Sequence, residues 1–411
     1  MALGDLSNLN GLFKVVYADK IKDLVPSHSI LQKKIPFVQD VKSSGNFYAQ
    51  PVLLAHESGF SYMGSAGAAG NLNAAVSMTM KEAQVYGTEM VLRSQLSYSA
   101  LSRASAGGEK AFKKSSAWLV EDMNNSMRKR LEISMIYGRK SIGKVSSVSS
   151  QTITITDASW CPAIWAGSEG TYLEFFDSQS ATANQDGSGD ITVSSVDFAN
   201  KAITVAGTLT GVDSNSFIWF KGQRTTTAHN DMAGLQAILE NTGSLHGIDA
   251  ATYNLWAGSN KSSVGQISHA KLQDAIALAV SKGLDSKVLV LVPPKAFGVL
   301  NSDQAALRVF DSSYEKGKGE SGFESLVFHS TNGMCEIVSH PLVKDGDSFI
   351  VPEEESLRIG SVDLSFGVPG MDEQFFTLVS GTNKVELQCM ADQAIFLEKP
   401  AYGGYLSGLT Y

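Results

Sequence analysis

Side-chain patterns that could support catalysis or ligand binding are few in this sequence of 411 residues. Gly317-Lys-Gly-Glu-Ser-Gly322 matches the G-x-G-x-x-G pattern that holds a dinucleotide pyrophosphate at the start of a helix. That chemistry needs a strand before the glycines and a helix after them, whereas here a polar loop precedes them and a strand-like run follows. The motif therefore predicts a surface loop and not a nucleotide site.

The seven histidines and three cysteines form no recognisable metal-binding pattern. No histidine pair has H-E-x-x-H spacing, and no cysteine pair has C-x-x-C spacing. His246 precedes a glycine and His340 precedes a proline, so both positions predict turns. Asp186 and Asp190 could offer oxygen ligands to calcium, but a plain hairpin turn is the simpler interpretation. We expect no catalytic residue, no metal and no cofactor, and hence a protein that is not an enzyme.

The sequence also contains two runs of like charge that could form a binding site. Glu353-Glu354-Glu355 follows a proline and predicts a solvated turn. Arg128-Lys129-Arg130 lies within a predicted helix, where it indicates a solvent-exposed face with Arg128 paired to Glu132 one turn further on.

The helix that carries this basic cluster is predicted from about Gly108 to Gly138. Its apolar residues recur every four positions, at Leu119, Met123, Met127, Leu131 and Met135. Its opposite face is predicted to carry Glu121, Arg128, Lys129, Glu132 and Arg139. The one-sided stripe is typical of a helix laid across a sheet.

The chain before this helix does not predict a domain of its own. Residues 1–45 show no clear period, and residues 46–92 read as two long strands around a tip of small residues, with the second strand continuing to Val91. An arm, a hairpin and a lone helix cannot close a hydrophobic core, so we expect them to dock on other copies of the chain. The candidate interface residues are Gly64, Gly67, Gly70, Glu82, Glu89, Arg128, Lys129 and Arg130.

Composition changes sharply over residues 143–223, where charge falls and short Ser/Thr/Val strands alternate with Asp/Gly turns. This pattern predicts a small all-β sandwich or barrel inserted into the chain. Beyond it, helices and strands mix: a helix is predicted over Asp231–Glu240, another from an N-cap at Ser268, and a buried strand over Val288–Val292. Short strands follow to the end, including separate ones over Val385–Met390 and Ala394–Leu397.

The bulk composition limits the class of protein. The net charge is −8, which excludes a general basic nucleic-acid binder. Only 18% of residues are charged, against about 25% in an average soluble protein, which favours large protein–protein interfaces. Three widely spaced cysteines indicate a reducing compartment without a disulfide framework.

The order of these parts resembles the major capsid protein of tailed bacteriophages, the Hong Kong-97-like capsid fold. Four sequence segments are similar to segments of that family: Gly243–Trp256, Val292–Phe297 through Leu300, Val338–Gly346 with the strand Phe349–Val351, and the C-terminal segment Ile395–Ala401. The resemblance covers the chain outside 143–223. It implies an α+β fold with an all-β insertion domain.

The resemblance also implies a domain organisation and partners. The expected parts are an N-arm (1–45), an extended E-loop (46–92), a peripheral domain with the spine helix (93–142), the β-rich insertion (143–223), a connection (224–261), an axial domain (262–383) and C-terminal strands that close on the core (384–411). We expect hexamers and pentamers in an icosahedral shell around double-stranded DNA, contacted non-specifically. A separate scaffolding protein, a portal protein and a decoration protein are the implied partners. The implied locations are the virion and, during assembly, the host cytoplasm, without a membrane.

Two other functions stay open at this point. An encapsulin-type compartment shell would share the architecture but enclose enzymes instead of DNA. A phage-tail or cell-surface adhesin would explain the Ser/Thr/Gly-rich strands but leaves the long helix without a role.

Overall fold

The computed structural model describes residues 29–39, 47–63, 70–97, 109–302, 325–330, 333–367, 377–378, 381–382 and 384–411. The glycine-rich motif 317–322 and the tip glycines Gly64 and Gly67 lie outside these residues.

The described N-terminal part consists of a short arm and a hairpin. The arm contains a helix, Ile30–Lys34, and strand β1 (Phe37–Gln39). The hairpin pairs β2 (Tyr48–Ala55) antiparallel with β3 (Thr79–Val85). The second strand of the hairpin is shorter than predicted, because the chain from the next strand onward, β4 (Thr88–Ser97), pairs with a C-terminal strand instead.

The spine helix runs over Glu109–Tyr137, which confirms its predicted extent. Met123, Met127, Leu131 and Met135 are all buried, so the predicted inner face is confirmed, and Leu119 is half-buried beside them. The predicted outer face is wrong at Glu132, which is 0% exposed. The reason is that residues 131–138 are buried all round, so this part of the helix has no wet face.

The predicted β insertion is a closed barrel. Its strands are β5 (Gly143–Ser149), β6 (Thr152–Ile155), β7 (Tyr172–Phe176), β8 (Gln185–Asp197), β9 (Ala202–Thr208) and β10 (Phe217–Phe220), arranged around the barrel as β10-β5-β6-β9-β8-β7. The predicted hairpin turn at Asp186–Asp190 is wrong, because these residues belong to β8. The pairing register with β9 shifts there, and Gly187 and Gly189 adopt positive φ angles that favour glycine.

After the barrel the chain crosses the end of the spine helix at very short range. The predicted helix over 231–240 is confined to Leu235–Leu239. Its N-terminal neighbour Gly234 donates its N–H to the carbonyl of Gly138 at 3.0 Å. A Cβ atom on Gly138 would lie 2.3 Å from the carbonyl oxygen of Met232, so only glycine permits this crossing.

The rest of the chain forms two five-stranded sheets and several short pairs. The remaining strands are β11 (Ser244–Leu245), β12 (Ile248–Asp249), β13 (Gly265–Gln266), β14 (Val288–Val292), β15 (Ser325–Ser330), β16 (Gly333–Ser339), β17 (Asp347–Pro352), β18 (Ser356–Phe366), β19 (Thr377–Leu378), β20 (Lys384–Leu397), β21 (Gly404–Ser407) and β22 (Leu409–Thr410). One sheet has the order β15-β16-β14-β17-β21 and carries the helices His269–Ser281 and Pro294–Ser302. The other has the order β1-β18-β20-β19, with β4 also paired to β20. The two strands predicted within 385–397 are one continuous strand, β20.

Several local predictions agree with this structure. Ser268 caps the helix that begins at His269 and accepts a hydrogen bond from the Lys271 N–H. His246 lies in the two-residue turn between β11 and β12 at a φ of 53°. The turn at 353–355 exists, but Glu355 is buried there, because its carboxylate accepts a hydrogen bond from the Ser286 hydroxyl.

The barrel is joined to the two sheets by hydrogen bonds as well as by apolar packing. Asp345 donates its N–H to the Trp160 carbonyl at 3.0 Å, and Gly346 donates to that of Ala158 at 2.9 Å. Barrel residues such as Trp160 and Trp165 share one apolar cluster with the spine helix and with β17. The insertion is therefore fixed to the rest of the protein at this end.

A polar network is buried where the spine helix meets β17. Lys344 donates to the Ser141 carbonyl at 2.7 Å and lies 3.8 Å from the centre of the Tyr137 ring. Asp347 accepts hydrogen bonds from the hydroxyls of Tyr405 at 2.7 Å and Tyr137 at 3.1 Å. Burial lowers the pKa of Lys344 to about 8, although Asp347 opposes the shift. Burial likewise raises the pKa of Asp347.

The lowered pKa of Lys344 predicts a pH dependence of stability. Below about pH 8 Lys344 is charged in the folded and in the unfolded protein, so the free energy of folding includes the full cost of burying the charge. Between pH 8 and 10 the folded state releases the proton while the unfolded state keeps it. The free energy of unfolding should therefore rise with pH, relative to Lys344→Met, by on the order of 1 kcal/mol per pH unit. Urea titrations of both proteins at pH 7, 8, 9 and 10 measure this, and parallel curves would contradict it.

The buried face of the spine helix gives a second prediction. Leu131→Asp places a carboxylate in an apolar contact and should cost on the order of 4 kcal/mol of unfolding free energy. Arg128→Ala is the matched change on the exposed face and should cost less than about 1 kcal/mol. Chemical denaturation of both variants provides the comparison, and equal losses would mean that the two faces are assigned wrongly.

Among the described residues, every helix is too short or too polar to cross a lipid bilayer.

Candidate assembly surfaces

The hairpin exposes large apolar side chains that nothing else in the described chain covers. The outward-facing side chains are Phe60, Tyr62, Met63, Leu72, Val76, Met78 and Met80, with Tyr62 93% and Leu72 78% exposed. Residues 56–63 and 70–78 belong to no sheet. Burying such an apolar surface against a partner would be favourable in free energy, so a surface of this kind is typical of an interaction site.

The base of the hairpin is anchored, in contrast. Ala83 and Val85 are buried, and Gln84 donates its N–H to the His246 carbonyl at 2.9 Å. Tyr48 packs edge-on to Phe396 of β20. The hairpin is therefore anchored at its base, and its described residues 70–78 are exposed.

The arm is held by a buried carboxylate of the spine helix. One oxygen of Glu132 accepts the N–H of Leu31 at 2.6 Å, and the other accepts that of Gln32 at 3.3 Å. These are N–H groups of the first turn of the arm helix, which have no acceptor within a helix. The partial positive charge of the helix N-terminus adds to the attraction.

His340 completes the surroundings of this carboxylate. Its Nδ1 atom accepts the Leu342 N–H at 3.2 Å, so its Nε2 atom carries the hydrogen and donates to Glu132 at 3.0 Å. Both side chains are 0% exposed. The predicted turn at His340 is confirmed, since the Val343 N–H donates to the His340 carbonyl at 3.1 Å, and the side chain is in addition an internal hydrogen-bond donor.

The other end of the arm helix is held by a guanidinium group. Arg358 of β18 is buried and donates to the carbonyls of Ile35 at 3.0 Å and Gln32 at 3.1 Å. It also bonds the side chains of Asp363 and Gln393. The arm helix thus lies between a carboxylate at its N-terminus and a cation at its C-terminus, the arrangement that the helix dipole favours.

A cleft of about 730 Å³ lies between β4, the spine helix and the barrel. Its walls include Thr88 through Leu92, the spine-helix residues Met127 and Arg130, and Tyr172 and Phe220 of the barrel. Because five consecutive residues of β4 line it, the strand presents its edge to the cleft and not one face alone.

Arg130 does not lie on a solvated face, as the sequence predicted. Its guanidinium carbon lies 3.2 Å from the centre of the Phe220 ring, and burial lowers its pKa to about 10 despite nearby Asp231. Its Nη1 atom is inaccessible to water and has no hydrogen-bond partner. Arg130 is therefore a cation that the subunit itself leaves partly unsatisfied.

The other predicted interface residues are dispersed. Arg128 is exposed and donates to Asn124 at 3.0 Å, so the predicted pair with Glu132 is wrong. Lys129 donates to the Ala166 carbonyl at 2.7 Å. Glu89 is exposed and lines the cleft with Arg130. Glu82 and Gly70 are exposed on the hairpin, away from this group.

Sequence reasoning missed Glu132, His340 and Arg358. A signal for Glu132 existed in its neighbourhood, because Leu131, Ile133, Met135, Ile136 and Tyr137 are too densely apolar for an amphipathic helix. No comparable local signal marks His340 or Arg358, since both act through partners far away in sequence.

The described residues contain no group of three or more His, Cys, Asp or Glu side chains placed to hold a metal ion. The oxygen atoms considered for calcium are engaged otherwise: Asp186 accepts from Ser216 and Asp190 pairs with Lys221. The three cysteines are buried thiols.

No model of a known protein family matches the chain, and no curated protein matches it. Solved structures do match. A chain of the cyanophage A-1(L) capsid asymmetric unit superposes with a TM-score of 0.61 at 9% identity, over 99% of this chain and 100% of that one. A chain of the capsid of a native GTA particle superposes with a TM-score of 0.53 at 8% identity, over 100% of both chains. The chain therefore has the α+β fold of phage capsid subunits, as the resemblance implied.

The clamp on the arm helix gives a third prediction. Glu132→Ala removes the acceptor of two buried donors and one partly buried donor, and should lower the free energy of unfolding by about 3 kcal/mol. Hydrogen exchange of residues 30–35 should accelerate more than that of the barrel. The matched control is Glu121→Ala, an exposed carboxylate of the same helix, with an effect below about 0.5 kcal/mol. Unchanged exchange in the arm would show that the carboxylate does not hold it.

Proposed function

We propose that this chain is the structural subunit of a phage-type capsid, in which many copies assemble into a closed icosahedral shell around double-stranded DNA. The observation that supports this most directly is the uncovered apolar surface of the hairpin, on a subunit with the fold of capsid chains. The role is structural and requires no catalysis.

The body and the appendages of the subunit suit this role. Copies of one chain occupy non-equivalent positions in a shell built from hexamers and pentamers, so the connecting parts must adjust while the body stays constant. Here the body is a continuous core of spine helix, barrel and two sheets, whereas the anchoring contacts of the described part of the hairpin lie at its base. The net charge of −8 disfavours adhesion of packaged DNA to the protein, so any contact with DNA is non-specific.

The proposal includes the partners that a phage capsid subunit meets. A separate scaffolding protein would guide assembly in the host cytoplasm, a portal protein would occupy one vertex, and a decoration protein would bind the finished shell. The mature location is the virion.

The full-length chain, expressed alone and together with its genomic neighbours, provides the test. Negative-stain microscopy and light scattering should show closed shells for the wild type. The variant Phe60→Ser/Tyr62→Ser/Leu72→Ser should keep the wild-type melting temperature within a few degrees, because these side chains are exposed, and should lose at least tenfold in shell yield.

The matched control is Phe198→Ser, an exposed apolar side chain on the barrel, which should assemble normally. A wild type that stays monomeric at high concentration under both conditions would overturn the proposed function. Normal shells from the triple variant would show that the hairpin surface is not what drives assembly.

A further inference from the structure

Three methionines lie on the exposed surface of the hairpin. Met63 is 52% exposed, and Met78 and Met80 are each 53% exposed. The side chain of Met63 lies across the other arm of the hairpin, since a Cβ atom added to Gly70 would stand 3.4 Å from its sulfur atom. Met80 belongs to β3 and pairs with Leu53 of β2, which is itself 45% exposed. These thioethers are therefore part of the apolar surface that the hairpin presents to water.

Most other sulfur atoms of the described chain are shielded from water. All three cysteines are buried, and burial raises the pKa of Cys161 and Cys335 to about 12 and that of Cys389 to about 11. They stay protonated at neutral pH, and a protonated thiol reacts poorly with oxidants. Outside the hairpin, the exposed methionine among the described residues is Met334 on β16. The methionines that are fully buried are Met123, Met127, Met135 and Met232.

An exposed thioether is open to oxidation by hydrogen peroxide. A lone pair of the sulfur atom attacks one peroxide oxygen, an S–O bond forms, the O–O bond breaks and water leaves. Sulfur is oxidised and the peroxide is reduced, and the product is methionine sulfoxide, which is polar. A thioether is favourable to bury against a partner, whereas a sulfoxide oxygen must first lose its hydration. Oxidation of the hairpin therefore opposes the burial of its surface.

We propose that Met63, Met78 and Met80 form an oxidant-sensitive modification site, at which hydrogen peroxide converts the thioethers to sulfoxides and prevents free copies of this chain from assembling. This inference rests on the proposed self-assembly and adds its regulation by oxidation. Copies that have already assembled are protected, because the same side chains are then covered. The block is reversible, because methionine sulfoxide reductases return the sulfoxide to the thioether with a thiol as reductant.

Free full-length protein, treated with hydrogen peroxide that is then removed, provides the test. Peptide mass spectrometry should find sulfoxide at the three hairpin methionines at least tenfold sooner than at Met123 and Met127, which are buried. Shell yield, measured by negative-stain microscopy and light scattering, should fall at least tenfold. The melting temperature should stay within a few degrees of the untreated value, because the oxidised side chains are exposed. Reductases for both sulfoxide epimers should restore at least half of the yield.

The variant Met63→Leu/Met78→Leu/Met80→Leu keeps the apolar surface but lacks the thioethers. It should assemble within twofold of the untreated wild type both before and after peroxide. The matched control is Met334→Leu, which removes an exposed thioether outside the hairpin and should stay as sensitive as the wild type.

Three outcomes would overturn the inference while the proposed function stands. They are normal shells from wild type oxidised at all three positions, an equal loss in the triple variant after peroxide, and no recovery with the reductases, which would trace the loss to another lesion. Untreated wild type that forms no shells would overturn the proposed function and this inference with it.

Discussion

A carboxylate without access to water must be surrounded by donors, and Glu132 takes its donors from two segments far away in the sequence. The arm supplies two main-chain N–H groups and the loop after β16 supplies the His340 imidazole. The Leu31 N–H and the His340 imidazole are buried and would be unsatisfied without the carboxylate, whereas the Gln32 N–H is partly buried. Glu132 therefore links the arm to the spine helix and, through His340, to the loop after β16. Arg358 fixes the opposite end of the same helical turn.

The interior and the periphery of the protein differ in how far their polar and apolar groups find partners within the same chain. Two buried polar groups of the interior, Glu132 and the Lys344–Asp347 network, are hydrogen-bonded, whereas the indole N–H groups of Trp165 and Trp219 in the barrel have no partner. Other parts remain uncovered within the described structure: the hairpin exposes apolar side chains, no described strand pairs with the outer edge of β4, and the Nη1 atom of Arg130 has no hydrogen-bond partner. A subunit of a closed shell is expected to have this character, since its partners belong to other copies.

The sequence predicted those elements whose stability comes from their own periodicity. The spine helix, the β character of residues 143–223 and the strand Val288–Val292 follow from apolar spacing, because one face or both faces of each element are buried. Prediction from the sequence failed where the surroundings of a residue are set by partners far away in the sequence. Charge alone placed Glu132 and Arg130 in water, yet both are engaged by residues that are roughly 90 or more positions away. The helix predicted over 231–240 fails similarly, because its first residues cross Gly138 in extended form. The cleft could not be predicted, because it exists only between three separate elements.

The pairing of β5 with β10 has a consequence for how the barrel joins the rest of the chain. Gly143, where the chain enters the barrel, lies opposite Ile218, where it is about to leave, so the entrance and exit are one strand spacing apart, about 5 Å. Loss of the whole barrel would require the remaining chain to bridge only that gap. A module joined in this way fits between two neighbouring positions of a host chain without stretching the chain on either side.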